Sequence, residues 1–237
     1  MEKEILKNMT VILTDESFLI NSDGPLLASF IEHKKEDRLL DLCSGNGIIP
    51  IWLIDRGFYG EIVAIDIQKE AIVLLQETIS LNSLKNISCQ CSDLRKYSSP
   101  KKFDIVSSNP PYYDEDSNIS SLKAKRRITR SSYCANIDDV VISAARNLKK
   151  EGSFYCCFPY WKLDDLTKAL EKVKLYPKRL QRVRYNEKKE PWLVLVESSF
   201  SDNGLAEELP DIFVERDGIR NMEYSDIFSM GVENGRE

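Results

Sequence analysis

Hydrophobic positions along this chain recur with two periods, and from residue 38 onward the two alternate. RLLDLC (38–43), EIVAID (61–66), NISCQC (86–91) and KFDIVSS (102–108) are short runs rich in apolar and β-branched residues, the pattern of buried strands. Between them, GNGIIPIWLIDRG reads as a helix opened by glycines, and KEAIVLLQETISLN (69–82) carries apolar residues at helical spacing. IDDVVISAARNLKK (137–150) predicts a helix ended by Gly152, and SFYCCF a fifth strand. Residues 162–174 predict another helix and PWLVLVESSF (191–200) a last strand. Alternating strands and helices predict an α/β fold, a mainly parallel sheet with helices on both faces. Ligands of such sheets bind at the carboxyl ends of the strands, so the turns there are the ones to inspect.

Composition narrows the class. With 237 residues and 42% hydrophobic content the chain can bury a full core in one domain. The longest apolar run, GIIPIWLI, is far short of a membrane span, and the charged start MEKEILK has no signal-peptide core, so a cytoplasmic protein is expected. Six cysteines without a CxxC pair, beside the single His33, fit neither a zinc site nor a disulfide framework; no metal is expected. The net charge of −5 hides a segregation. Residues 201–237 carry ten acidic and three basic side chains, whereas residues 122–189 carry eighteen basic and seven acidic. That distribution permits a phosphate-facing surface with an acidic region elsewhere.

Four predicted strand ends carry polar or glycine features. The first ends in DLCSGNG, with Asp41 at its tip and Gly45 and Gly47 in the turn, where backbone can approach a ligand closely. Pro50 stands where a dinucleotide fingerprint needs its third glycine, which disfavours NAD or FAD. Asp66 ends the second strand, placed either to accept from two ribose hydroxyls or to cap the next helix. Asp93 follows the third, able to meet an adenine amino group or simply to make a turn. Asn109-Pro110-Pro111-Tyr112 ends the fourth, and two consecutive prolines stop the strand and force a rigid turn. A nucleoside-like cofactor beside a rigid active loop accounts for all four.

These residues resemble the class I S-adenosylmethionine-dependent methyltransferases, specifically the amino-methyltransferases with an NPPY-type motif. More closely, FLINSDGPLLA, DLCSGNGIIP, SNPPYY, LKKEGSFY, YPKRLQRV and LVLVES are similar to bacterial tRNA adenine-N6 methyltransferases acting at nucleotide 37 of valine tRNA. The resemblance runs from about Phe18 to Phe200 and implies a Rossmann-like, mostly parallel seven-stranded sheet. It implies S-adenosyl-L-methionine held by Asp23, Asp41, Cys43, Gly45, Gly47, Asp66, Ile67, Asp93, Leu94 and Asn109, and a tRNA partner. The expected organisation is an N-terminal segment with a helix flanking the cofactor (1–37), a methyltransferase domain (38–200) and an acidic extension (201–237); a monomer is expected, though no sequence feature fixes the oligomeric state. The chain departs from the family after NPPY, where TRSS keeps Arg130 but places Ser131 and Ser132 at a His-Glu pair, and at Phe158, which stands for a histidine.

The motif suits that chemistry. An adenine amino nitrogen is a poor nucleophile because its lone pair is delocalised into the ring. The Asn109 side-chain oxygen and the Pro110 carbonyl, aimed at the amino hydrogens, would favour the localised form, with Pro111 holding the turn rigid. Tyr112 would stack an extruded base, with Tyr113 either a second wall of that site or a core residue. Arg126, Arg127 and Arg130, with KRLQRVR (178–184), form the expected handle for RNA phosphates. Other readings are a methyltransferase of ribosomal RNA, one acting on protein glutamine, and a non-catalytic cofactor- or RNA-binding module.

Overall fold

The computed structural model describes residues 1–111, 135–202 and 204–228. An antiparallel hairpin, β1 (Glu2–Ile5) and β2 (Val11–Thr14), precedes helix α1 (Asp23–Phe30). There follow β3 (Leu39–Leu42), α2 (Ile48–Asp55), β4 (Ile62–Asp66), α3 (Lys69–Leu81), β5 (Ile87–Cys91) and β6 (Phe103–Ser108). After the undescribed stretch come α4 (Ile137–Asn147), β7 (Leu148–Pro159), α5 (Leu163–Lys172), β8 (Tyr176–Arg184) and β9 (Leu193–Ser199). The last segment adds β10 (Glu207–Glu208), β11 (Ile212–Phe213), the β12–β13 ribbon (Glu215–Arg216 and Ile219–Arg220) and α6 (Met222–Ile227).

Seven strands run in the order β8-β9-β7-β6-β3-β4-β5, and β9 alone is antiparallel to its neighbours in that run. The order reverses between β3 and β6, which brings the turns after those two strands side by side. Two-residue strands β10 and β11 pair with β8, making nine strands in all and covering an edge that would otherwise offer unpaired backbone.

Side chains alternate between two cores, one on each face of the sheet. Leu39 packs with α1, α2 and Leu75 of α3, whereas Leu40 and Leu42 pack with α4 and α5. Likewise Tyr155 and Cys157 face the first core, and Phe154, Cys156 and Phe158 the second, which is why SFYCCF is apolar at successive positions. The N-terminal hairpin docks through side chains of α3: Thr78 Oγ1 accepts from the Leu13 N–H at 3.1 Å and Asn82 Oδ1 from the Val11 N–H at 2.9 Å.

One expectation fails locally. The helix predicted over 137–150 stops at Asn147, and Leu148 already has extended backbone at φ −74°, ψ 142°. Gly152 therefore lies inside β7 rather than at a helix end. A Cβ there would sit 2.7 Å from the Asp104 carbonyl oxygen, where β6 and β7 shift register, so glycine serves close approach of two strands. Among the described residues no helix is long and apolar enough to cross a membrane, and no three His, Cys, Asp or Glu side chains gather to hold a metal ion.

Candidate active site

Register aligns the strand ends. Leu42 lies opposite both Ile65 and Ser108, and Asp66 opposite Cys91, so the turns after β5, β4, β3 and β6 form one row. The turn after β3 takes left-handed backbone at Cys43 (φ 58°), Gly45 (φ 57°) and Gly47 (φ 85°). The two glycines serve different ends. A Cβ on Gly45 would meet no heavy atom within 4 Å, so its outer side is open to a ligand, whereas a Cβ on Gly47 would lie 2.4 Å from Leu75 Cδ1. Gly47 is thus a packing residue that lets α2 start against α3.

Asp66 supports this turn and the next helix together. Its Oδ2 accepts from the Gly45 N–H and its Oδ1 from the Gln68 N–H, both at 2.8 Å. The carboxylate is buried, which pushes its pKa up against the opposing pull of these backbone bonds. The Gln68 side chain and the Ile67 N–H also bond this carboxylate, so a diol would share its oxygens with the turn and the helix start. Ile67 beside it is partly exposed.

Asp41 lies deeper than its place in the motif implies. It has no exposed surface, and its Oδ1 accepts from Ser107 Oγ of β6 at 2.6 Å. Its Oδ2 and the buried Ser44 Oγ of the same turn make no bond of good geometry, yet the Ser44 hydroxyl is close enough to stabilise the carboxylate. Burial pushes the Asp41 pKa up to about 7; the Ser107 and Ser44 hydroxyls oppose that shift and the Asp66 charge adds to it. Asp41 is a floor residue that reaches a ligand only through its neighbours. Ser108 Oγ donates to the Leu42 carbonyl at 2.9 Å, so both serines of FDIVSS fasten the start of the Asn109 corner to β3. At the corner Asn109 is half-buried, Pro110 buried and Pro111 exposed.

The remaining predicted residues flank this row. Asp93 holds Arg95 through Nε and NH2, the shorter contact at 2.7 Å, and Arg95 keeps its carboxyl below the usual range. The neighbouring Leu94 is buried, its carbonyl accepting from Ser143 Oγ of α4 at 2.9 Å. Asp23 opens α1, accepts from Ser22 Oγ at 3.0 Å, and has its pKa raised by burial. Gly24 next to it abuts Ile48 at the start of α2, which sets Asp23 near the glycine turn. Cys43 packs on the second core. Tyr112, Tyr113, Arg126, Arg127 and Arg130 lie outside the described residues.

One correction concerns charge. KRLQRVR is no open handle: it is β8, and its cations are taken by carboxylates of the fold. Lys178 and Arg179 bind Glu197, which is almost fully buried, and Arg182 and Arg184 share Asp211 of the acidic segment at 2.8 and 2.5 Å. The acidic segment itself packs on the domain, with Ile212 and Tyr224 buried in the first core. His33 is exposed, with its ring edge-on to Phe58. Sequence reasoning missed Ser107, Ser108 and Asn46, whose Nδ2 donates to the Leu13 and Phe18 carbonyls at 2.9 and 3.2 Å and ties the N-terminal segment to the glycine turn. The signal available for the serines was two hydroxyls ending an apolar strand.

Comparison with known proteins places the chain among methyltransferases. The family described as the methyltransferase small domain matches residues 20–159, more than half of the chain. A tRNA1(Val) (adenine(37)-N6)-methyltransferase of Bacteroides thetaiotaomicron is 28% identical over 204 residues, covering 85% of each chain. A protein of the same description from Dyadobacter fermentans is 24% identical over 221 residues, covering 90% of this chain and 89% of its own. Among solved structures, an O-methyltransferase assigned by prediction from Agrobacterium tumefaciens superposes with a TM-score of 0.70 at 14% identity, over 86% of this chain and 94% of that one. That last likeness is one of fold.

Proposed function

The chain belongs to the methyltransferase small domain family, and from that premise we propose that it methylates the N6 amino group of an adenine in tRNA, nucleotide 37 of valine tRNA being the first candidate. The cofactor is S-adenosyl-L-methionine, which when bound supplies an electrophilic methyl group on a sulfonium. The residues present fit it: an open cradle over Gly45, with the Asp66 carboxylate directly beneath that turn. Asp66 would take the ribose hydroxyls, Asp93 the adenine amino group and Asp23 the amino-acid end. A protein acting on tRNA of this kind works in the cytoplasm.

One observation carries the reading. The 2.6 Å bond from Ser107 to Asp41 and the Ser108 bond to Leu42 lock the β6 corner to the strand that bears the glycine turn. Asn109 is thereby held next to the cofactor cradle by the fold itself rather than by the substrate. Its side-chain oxygen and the Pro110 carbonyl accept the two amino hydrogens of the target base, so the nitrogen lone pair is freed toward the methyl group. The methylated amine then loses a proton to water, which calls for no general base.

The test is to incubate the purified protein with bulk unmodified tRNA and a labelled methyl donor, then locate the label by nucleoside analysis and mapping. N6-methyladenosine at nucleotide 37 of valine tRNA is expected. Asn109→Ala is expected to lose transfer while keeping cofactor affinity. Label on another nucleoside, or equal turnover by the variant, refutes the assignment.

A further inference from the structure

We propose that Trp161 is a stacking platform for a base adjoining the target adenine, a proposal that rests on the tRNA reading above. Trp161 lies in a single 3-10 turn, Tyr160–Lys162, between β7 and α5, and is 64% exposed. β7 is the parallel neighbour of β6, with Cys156 opposite Ser108. The chain therefore leaves the sheet at Pro159 on the same edge, one strand spacing of about 4.8 Å sideways from the strand that ends at the Asn109 corner.

A lone exposed apolar side chain is ordinary and by itself means little. This one differs in how firmly its backbone is held. The Tyr160 N–H donates to the Trp192 carbonyl at 3.1 Å, and the Leu163 N–H closes the turn on the Tyr160 carbonyl. Tyr160 packs into the second core, and Trp192 N–H is bonded in turn to Val183 of β8 at 3.1 Å. The indole is thus presented from a fixed turn beside the corner that must receive an extruded base.

Tyr185, half exposed at the end of β8, stands on the same edge, with its hydroxyl 3.1 Å from Glu215 Oε2. The turn that follows holds Lys188 and Lys189 but also Glu187 and Glu190, so it carries no net charge. That balance favours face-on stacking over a phosphate clamp, because stacking needs no charge. Extruding one base strips its neighbours of a stacking partner, and an aromatic face offered to a neighbour restores it.

Two variants test this. Trp161→Ala is expected to raise KM for tRNA about tenfold, from the usual worth of one stacked base, with kcat and cofactor affinity unchanged. Trp161→Phe is expected to recover most of the affinity. A short single-stranded RNA should quench the fluorescence of the wild-type protein, and that quench should vanish in Trp161→Phe while binding followed by RNA anisotropy persists. Wild-type KM and affinity in Trp161→Ala overturn the platform while leaving the reaction assigned. RNA binding that depends on Trp161 in a protein that methylates no tRNA overturns the reaction and keeps the platform. A wild-type protein that binds neither RNA overturns both.

Discussion

Asp41→Asn is the substitution with the most to report, because Asp41 is an acid without solvent. In the folded protein its proton is held up to about pH 7, whereas the unfolded chain releases it near the ordinary value of 3.8. Between those two pH values the folded state binds more protons than the unfolded one, so stability falls as pH rises, and the full cost is present only above about pH 7. A shift from 3.8 to about 7 corresponds to at most about 4 kcal/mol. Asparagine can still accept from Ser107 Oγ, but its amide nitrogen would replace a carboxylate oxygen in a buried site and cost about 1–3 kcal/mol. The two effects nearly cancel at pH 5 and leave the variant about 2 kcal/mol more stable at pH 8. For a protein of this size that is a rise in Tm of about 4–8 °C. Thermal unfolding of both proteins across pH 5 to 8, compared at each pH, reads the difference directly. A difference that stays constant or shrinks toward pH 8 would refute the assignment of Asp41 as a buried, proton-retaining floor.

Gly47→Ala, which must displace Leu75 and hold a left-handed backbone, should cost about 2–4 kcal/mol in denaturant unfolding. Gly45→Ala meets open space, so it should cost about 1 kcal/mol in stability yet weaken cofactor binding in a titration; the opposite ranking in stability would contradict the division of roles. Asp93→Ala should lower cofactor affinity in calorimetry while leaving Tm nearly unchanged, since its partner Arg95 is exposed; unaltered affinity would make Asp93 a turn residue only. Asp211→Asn removes the shared partner of Arg182 and Arg184 and should speed limited proteolysis within residues 201–228, with cofactor affinity retained; a cleavage rate equal to wild type would show that the segment is held by its apolar residues alone.

Where a feature depends on a short window of sequence, it was legible. Strands covered on both faces show as unbroken apolar runs, α3 as a 3.6-residue period, and the Asn109-Pro110-Pro111 stop as a steric fact about proline. The glycine turn could be placed too, but its two glycines look alike until Leu75 is seen pressed against one and nothing against the other. Tertiary structure alone decided the pairings. Ser107 meets Asp41 across 66 residues of sequence because β6 lies beside β3 in one register, and no local signal carries that register. The same holds for charge: KRLQRVR has the composition of a phosphate surface, yet strand pairing sets Glu197 opposite Arg179 and brings Asp211 to Arg182 and Arg184. Period and backbone sterics act within a turn or two of chain and can be read from it, whereas the partner of a buried acid or an arginine is chosen by which distant strand arrives alongside.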